Sequence, residues 1–309
     1  MSSLDIVIVN WNSGDQLRAC VSSVIEHAGT VVAKIVVVDN GSTDDSFKAV
    51  EHFPQVEVLR ENVNLGFGRA CNRGARLATS KYLLFLNPDA RVFEDSLAKV
   101  VGFMETPENE GIGVCGVQLV DEAGRVSRSC AHLPSLDGFL FHAVGIDRFI
   151  PKLGYRMEYW DHSQMRKVDH VIGAFYFVRR IVFLELKGFD ERFFMYLEDL
   201  DFSSRIQRSS WGCAYLANVR AFHAGGGTSE QVRARRLFYA LRSRLLYAHK
   251  HFSLSGALLV IIATLFVEPF SRSVFALLRG SASNLQEIII AYGMLWKWLP
   301  LWLCKGVTR

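Results

Sequence analysis

Short apolar runs alternate with amphipathic stretches over the first ninety positions. Leu4-Asp5-Ile6-Val7-Ile8-Val9 is dominated by β-branched residues and predicts a buried strand. Beyond the turn-rich Asn10-Trp11-Asn12-Ser13-Gly14, the apolar residues Leu17, Cys20, Val21, Val24 and Ile25 recur at helical spacing, which predicts one apolar helix face. Lys34-Ile35-Val36-Val37-Val38 predicts a second strand, ending in Asp39-Asn40-Gly41-Ser42-Thr43-Asp44-Asp45. There Asn-Gly makes a tight turn, Ser42 or Thr43 can cap, and Asp44 and Asp45 suit a first helical turn. Val56-Glu57-Val58-Leu59 predicts a third strand. The helix expected after Asn62–Gly68 carries Ala70, Cys71, Gly74, Ala75 and Ala78, small enough to pack closely on a sheet. Tyr82-Leu83-Leu84-Phe85-Leu86, apolar throughout, predicts a central strand that stops at Asn87-Pro88-Asp89.

This alternation predicts an α/β fold: a Rossmann-like, mostly parallel central sheet flanked by helices on both faces. Ligands of such sheets bind beyond the carboxyl ends of the strands. The loops at 10–14, 39–45 and 87–89 should therefore gather along one edge and bring Asp39 and Asp89 with them. Gly113–Val120 predicts a further strand, whereas 127–168 has little periodicity and reads as a long variable segment. Val168–Val178 predicts a strand broken by the small pair Gly173-Ala174, followed by a helix near 180–186. Ala214-Tyr215-Leu216 and Val219–Phe222 predict a last pair of strands, with His223 and the glycines 225–227 after them as a mobile loop.

The pattern changes after about residue 230, which predicts two regions, 1–230 and 231–309. From 231 to 252 there are six basic residues and no acid: Arg233, Arg235, Arg236, Arg242, Arg244 and Lys250. With the apolar face of Leu237, Phe238, Leu241 and Leu245, this predicts a helix that meets a diphosphate or an anionic membrane, or a solvated basic face. The apolar runs 256–267 and 288–304 fall short of the ~20 residues of a spanning helix. Trp296, Trp298, Trp302 and Lys297 suit a membrane interface, so in-plane helices are expected, the alternatives being a homo-oligomer contact or ordinary core.

Composition narrows the partners. The net charge of +4 on 309 residues argues against wholesale nucleic-acid binding. Six cysteines without a CxxC pair predict reduced, mostly buried thiols in a cytosolic compartment. The N-terminus enters a strand directly, with no basic and apolar leader before it, so no signal peptide is expected. The most conspicuous chemistry is Glu198-Asp199-Leu200-Asp201, three carboxylates between aromatic flanks. Carboxylates in apolar sequence suit proton transfer, and acids also favour a helix N-terminus for structural reasons.

The ordered motifs settle more than any one alone. They are Val9-Asn10-Trp11-Asn12, Val37-Val38-Asp39-Asn40-Gly41-Ser42, Asn62-x-Asn64-x-Gly66-Phe67-x-x-Ala70-x-Asn72-x-Gly74, Leu86-Asn87-Pro88-Asp89, Gly173-Ala174, Gly188-Phe189-Asp190, Glu198-Asp199-x-Asp201-Phe202 and His223. Together they resemble inverting family 2 glycosyltransferases of the GT-A fold, especially the rhamnosyltransferase-like branch of bacterial polysaccharide and cell-envelope biosynthesis. The resemblance spans about residues 4–250. It implies a nucleotide-diphosphate sugar donor, with dTDP-rhamnose the leading choice, a Mg²⁺ or Mn²⁺ ion, and a glycan or lipid-linked acceptor at the inner face of the cell membrane.

Residue by residue, the resemblance implies Asp199 as catalytic base and Glu198 as its support and acceptor contact, with Gly173 and Ala174 also on the acceptor side. It implies donor contacts from Asn10, Trp11, Asp39, Asn64, Gly66, Arg69, Asn72 and Asn87, and metal contacts from Asp89 and His223. The family's DXD metal motif is reduced here to Asn87-Pro88-Asp89, with one carboxylate fewer. Asp201 is expected to pair with Arg205 four residues on. Two rivals remain at this point: a nucleotidyltransferase, whose phosphate loop Asn10-Trp11-Asn12-Ser13 does not fit, and a non-catalytic nucleotide-sugar-binding module.

Overall fold

A computed structural model describes residues 2–225 and 233–308. The chain runs β1 (Leu4–Asn10), α1 (Asp15–His27), β2 (Val32–Asn40), β3 (Val56–Glu61), α2 (Phe67–Ala75), β4 (Tyr82–Leu86), β5 (Ala90–Val92), α3 (Ser96–Glu105) and β6 (Ile112–Val120). It continues through β7 (Cys130–Ala131), α4 (Leu136–Val144), β8 (Arg166–Val168), β9 (His170–Val171), β10 (Phe175–Arg179), α5 (Arg180–Glu185), α6 (Glu198–Gln207) and β11 (Gly212–His223). Four helices end it: α7 (Arg233–His251), α8 (Leu254–Ile262), α9 (Glu268–Leu278) and α10 (Ala282–Lys305).

Contacts divide the chain into two compact units. The first takes 1–131, 160–190 and 199–228, and the second takes 132–159, 191–198 and 229–309. In the first, one sheet runs β3-β2-β1-β4-β10-β6-β11-β5, with β8 paired to β11. The strands from β3 to β4 are parallel, and the one predicted to be central, β4, is apolar throughout and fully buried. Next to them β10 runs antiparallel to both β4 and β6, so the sheet is mixed at its centre. Close helix packing is as expected at Gly74, where a Cβ would meet Val7 Cγ1 at 2.5 Å.

Several local expectations change. The loop 39–45 leads only to a 3-10 turn, Ser46–Ala49, because Asp45 is left-handed (φ +56°) and Asp44 spends its carboxylate on Ser46 and on the Gly14 N–H. The two expected strands after residue 213 are one, β11, whose register slips between Leu216 and Arg220. The stretch from 168 to 178 is divided among β8, β9 and β10 rather than broken once. The segment 127–168 contains α4, and the part from 132 to 159 belongs to the second unit.

In the second unit the basic stretch does not present one charged face. Arg242 and Arg244 are buried, while Arg233, Arg235 and Arg236 are exposed. Arg242 lies against the rings of Phe194, Phe238 and Tyr239. Arg244 pairs with Glu268, which also takes two bonds from Arg272 at 2.8 and 2.6 Å. Glu268-Pro269 does not end the apolar stretch: Glu268 has its counter-charges, and Pro269 falls in the first positions of α9, after the π-helical turn Ala263–Val267, where a missing N–H is tolerated. Leu254–Leu278 is a continuous helical stretch of 25 residues with mean hydropathy 1.9, long and apolar enough to cross a membrane.

Candidate functional site

The site is built at the carboxyl ends of β1, β2 and β4 and beside the start of α6. Parallel register sets Asn10 next to Asp39 at the ends of β1 and β2. The Asn10 amide donates to Asp39 Oδ1 at 2.9 Å, and its nitrogen also lies within bonding reach of Ser46 Oγ (2.8 Å) and Ser42 Oγ (3.2 Å). Both Asn10 and Asp39 are buried, and Asn10 Oδ1 has no partner among the described residues. A buried acceptor left open in an otherwise satisfied cluster suits a ligand or water donor. Trp11 is half-buried beside this cluster in sequence.

The second loop is fixed by side chains and glycines. Asn40 donates to Asn64 Oδ1 at 3.1 Å, and its own Oδ1 accepts the Leu65 N–H at 2.8 Å. Asn64 Oδ1 also accepts the Gly66 N–H at 2.9 Å. A Cβ at Gly41 would meet Val63 backbone at 2.8 Å, so the two loops approach too closely for any other residue. Gly66, at φ +81°, opens α2, on whose first turns Arg69 and Asn72 sit. Asn72 is committed elsewhere than a donor: it donates to the Phe189 carbonyl (2.8 Å) and accepts the Phe189 N–H (2.9 Å). It thereby fixes the Gly188-Phe189 turn, together with Arg205, which pairs with Asp201 at 2.9 Å as expected and donates to the Gly188 carbonyl at 2.8 Å.

Asp89 and His223 come together through sheet pairing. Antiparallel β5 and β11 place Ala90 opposite His223, and the Ala224 N–H donates to the Asp89 carbonyl. His223 Nε2 stands 3.4 Å from Asp89 Oδ1, both side chains largely covered. Two neighbouring ligands of one octahedral cation at ~2.1 Å bonds are roughly 3 Å apart, so the pair fits a Mg²⁺ or Mn²⁺ ion. Among the described residues no three His, Cys, Asp or Glu side chains form a metal cluster. A cation here would take its other ligands from diphosphate and water. Asn87 contributes its backbone N–H to the Ala174 carbonyl, and Ala174 packs its side chain in the core. Glycines 226 and 227, part of the expected mobile loop, lie outside the described residues.

Asp199 stands on the first turn of α6. Two consecutive left-handed residues, Tyr196 (φ +68°) and Leu197 (φ +64°), precede the helix. Neither is glycine, and such conformations persist where surrounding structure over-determines them, often at functional sites. The chain before them is held by the second unit, where Ser243 donates to the Met195 carbonyl at 2.7 Å and Phe194 packs on Tyr239. Glu198 is buried. Asp199 Oδ2 accepts the Gly173 N–H at 2.8 Å, and Oδ1 accepts the Leu200 N–H at 2.8 Å. Its side chain keeps 17% of its surface open, and no Lys or Arg lies within ion-pair distance among the described residues. Gly173, expected on the acceptor side, is thus a direct partner of the carboxylate.

His170 was not singled out from the sequence, where it reads as one residue of a strand. It is buried, with Nε2 3.7 Å from Asp199 Oδ2. Burial pushes its pKa down, against the opposing charges of Asp199 and Asp169.

The sequence profile of Glycosyl transferase family 2 matches residues 5–183. The chain is 30% identical over 236 residues to the N-acetylglucosaminyl-diphospho-decaprenol L-rhamnosyltransferase of Mycobacterium tuberculosis, covering 71% of this chain and 75% of that one. It is 28% identical over 228 residues to the rhamnosyltransferase WbbL of Escherichia coli, covering 71% and 81%. In fold it is similar to the mannosyltransferase PcManGT of Pyrobaculum calidifontis, solved with GDP-Man and Mn²⁺, at a TM-score of 0.57 and 17% identity over 99% of this chain and 81% of that one.

Proposed function

From the premise that the chain belongs to glycosyl transferase family 2 and is a glycosyltransferase, we propose that it transfers rhamnose from dTDP-rhamnose, with inversion, to a hydroxyl of a glycan on a lipid diphosphate. The rhamnosyltransferase relatives support the sugar, and the name of the mycobacterial one supports the acceptor class. Asp199 is the general base. The observation that carries this is its carboxylate, held by two backbone N–H groups, partly open, and with no Lys or Arg within ion-pair distance among the described residues. It takes the acceptor proton as the hydroxyl attacks the anomeric carbon in line with the leaving diphosphate.

Asn10 and Asp39 hold the nucleoside, and Asn64, Gly66 and Arg69 line the donor side where α2 begins. Asp89 and His223 hold a divalent cation, which would supply positive charge to the leaving diphosphate. The experiment is a thermal-shift and turnover screen of nucleotide sugars with and without Mn²⁺, using polyprenyl-diphosphate sugars as acceptors. dTDP-rhamnose should raise the melting temperature in the presence of Mn²⁺ and yield a product of inverted anomeric configuration. Binding of a different sugar nucleotide alone would overturn the donor, and a retained configuration would overturn the base.

We further propose attachment to the cytoplasmic membrane surface through the second unit. Leu254, Leu258, Ile262, Phe266, Phe270 and Val274 recur every fourth residue, and each is exposed. Exposed apolar surface along the length of the stretch fits the headgroup–acyl boundary of a leaflet. Phe270→Asp with Val274→Asp should release the protein from sedimenting vesicles. Unchanged vesicle binding by a folded double variant would overturn the attachment.

A further inference from the structure

Asp199 is faced by a row of buried polar groups that the reaction described above does not use. Beyond the His170 Nε2 at 3.7 Å, the row continues from His170 Nδ1 to Ser203 Oγ at 2.9 Å and from Ser203 Oγ to the Tyr176 hydroxyl at 3.0 Å. His170, Ser203 and Tyr176 are 2%, 0% and 0% exposed. Ser203 follows Asp199 by four residues on α6, so one helix face carries both ends of the link to His170.

Of the two proton arrangements the row allows, one presents an N–H to Asp199. Burial pushes Tyr176 well up, so its phenol keeps its proton. Burial pushes His170 down, so its ring is neutral and carries one N–H. With Tyr176 donating to Ser203 Oγ and Ser203 donating to His170 Nδ1, the ring proton falls on Nε2, the nitrogen that faces Asp199. At 3.7 Å this is not yet a hydrogen bond. Bonds of this kind are often long in unliganded enzymes and tighten in the reacting complex.

We propose that His170 is a positioning residue for Asp199, its Nε2–H closing on Oδ2 beside the Gly173 N–H so that Oδ1 is the atom presented to the acceptor hydroxyl. The inference rests on Asp199 being the base. The proton that the acceptor loses stays on Asp199 Oδ1 until product leaves, and His170 neither gains nor loses one. Ser203 and Tyr176 set the tautomer and do not touch substrate.

Two amide substitutions separate this role from a structural one. His170→Gln places a donor near the position of Nε2, and His170→Asn places one near Nδ1, toward Ser203. Turnover of dTDP-rhamnose, or of whichever sugar nucleotide the wild type accepts, should fall up to about a hundredfold in kcat for His170→Asn, with donor KM and melting temperature unchanged. His170→Gln should recover most of that loss. Equal kcat in the two variants, whether high or low, overturns the proposal. Asp199→Asn, assayed alongside, tells which idea fails. If it turns over, the base assignment is wrong and His170 has nothing to position. A reading independent of turnover is the ¹⁵N spectrum of the histidine rings, assigned by the signal lost in His170→Gln. The Nε2–H tautomer supports the proposal, and the Nδ1–H tautomer or a charged ring at neutral pH overturns it.

Discussion

Of the carboxylates at helix starts in this chain, the fold treats Glu268 and Asp199 in opposite ways. Glu268, at the start of α9, is 1% exposed and lies between the guanidinium groups of Arg244 and Arg272. Burial pushes its pKa up, but the two arginine charges outweigh burial and hold the carboxyl below its usual range. Asp199, on the first turn of α6, takes two N–H donors and faces a neutral imidazole, has no Lys or Arg within ion-pair distance among the described residues, and keeps part of its surface open. A carboxylate locked between cations is held ionised as a structural member. One oriented by dipoles alone keeps its geometry and still has an oxygen with room to accept a proton. The difference in neighbours separates a structural acid from a chemical one where the sequence shows only two acids in apolar surroundings.

The largest expected effect breaks the structural side. Glu268→Gln leaves Arg244 buried without its counter-charge, which should cost ~3–5 kcal/mol of stability in urea denaturation. Replacing the pair together, as Arg244→Met with Glu268→Leu, removes the stranded charge and should restore most of that loss, and a double variant as unstable as the single one would mean the pair is needed for more than neutralisation. On the chemical side, Gly173→Ala puts a methyl 3.2 Å from Asp199 Oδ2 and must displace the carboxylate by a few tenths of an ångström. It should lower kcat about ten- to a hundredfold with little change in melting temperature.

The smallest effect is in pH. Because burial holds His142 and His170 below the ordinary histidine value of 6.5, the unfolded chain takes up protons that the folded chain refuses. Stability should decline as pH falls below 6.5. It should decline again below 4.5, the ordinary value of a glutamate, as the unfolded form of Glu268 protonates before the folded one. Melting temperatures across pH 7 to 4 check both steps, and a Tm that rises on acidification would reverse the sign assigned to the histidines.

Much of this was legible in the residues. The strands β1, β2 and β4 carry the apolar runs Ile6–Val9, Ile35–Val38 and Tyr82–Leu86, and Asn10, Asp39 and Asp89 follow them where an α/β sheet puts its ligands. The slip in β11 looks like a gap in the sequence because Asn218 interrupts the apolar pattern, although the backbone pairing resumes at Arg220. β5 has three residues, too few for any period to show. The buried state of Arg244 could not be seen, since its partner Glu268 is 24 residues away on another helix. Asn72 carries a motif position, yet two of its bonds go to the backbone of Phe189, 117 residues on. For His170 the one available signal was indirect: Asp199 and Ser203 share a helix face at a spacing of four.

The most direct test of the central claim is the transfer rate of Asp199→Asn, measured with donor affinity on the same folded preparation. The amide keeps the size of the side chain and cannot take the acceptor proton. Donor affinity and melting temperature should stay close to wild type while turnover falls by at least roughly a hundredfold. Turnover comparable to wild type in a variant that binds donor normally would contradict the account.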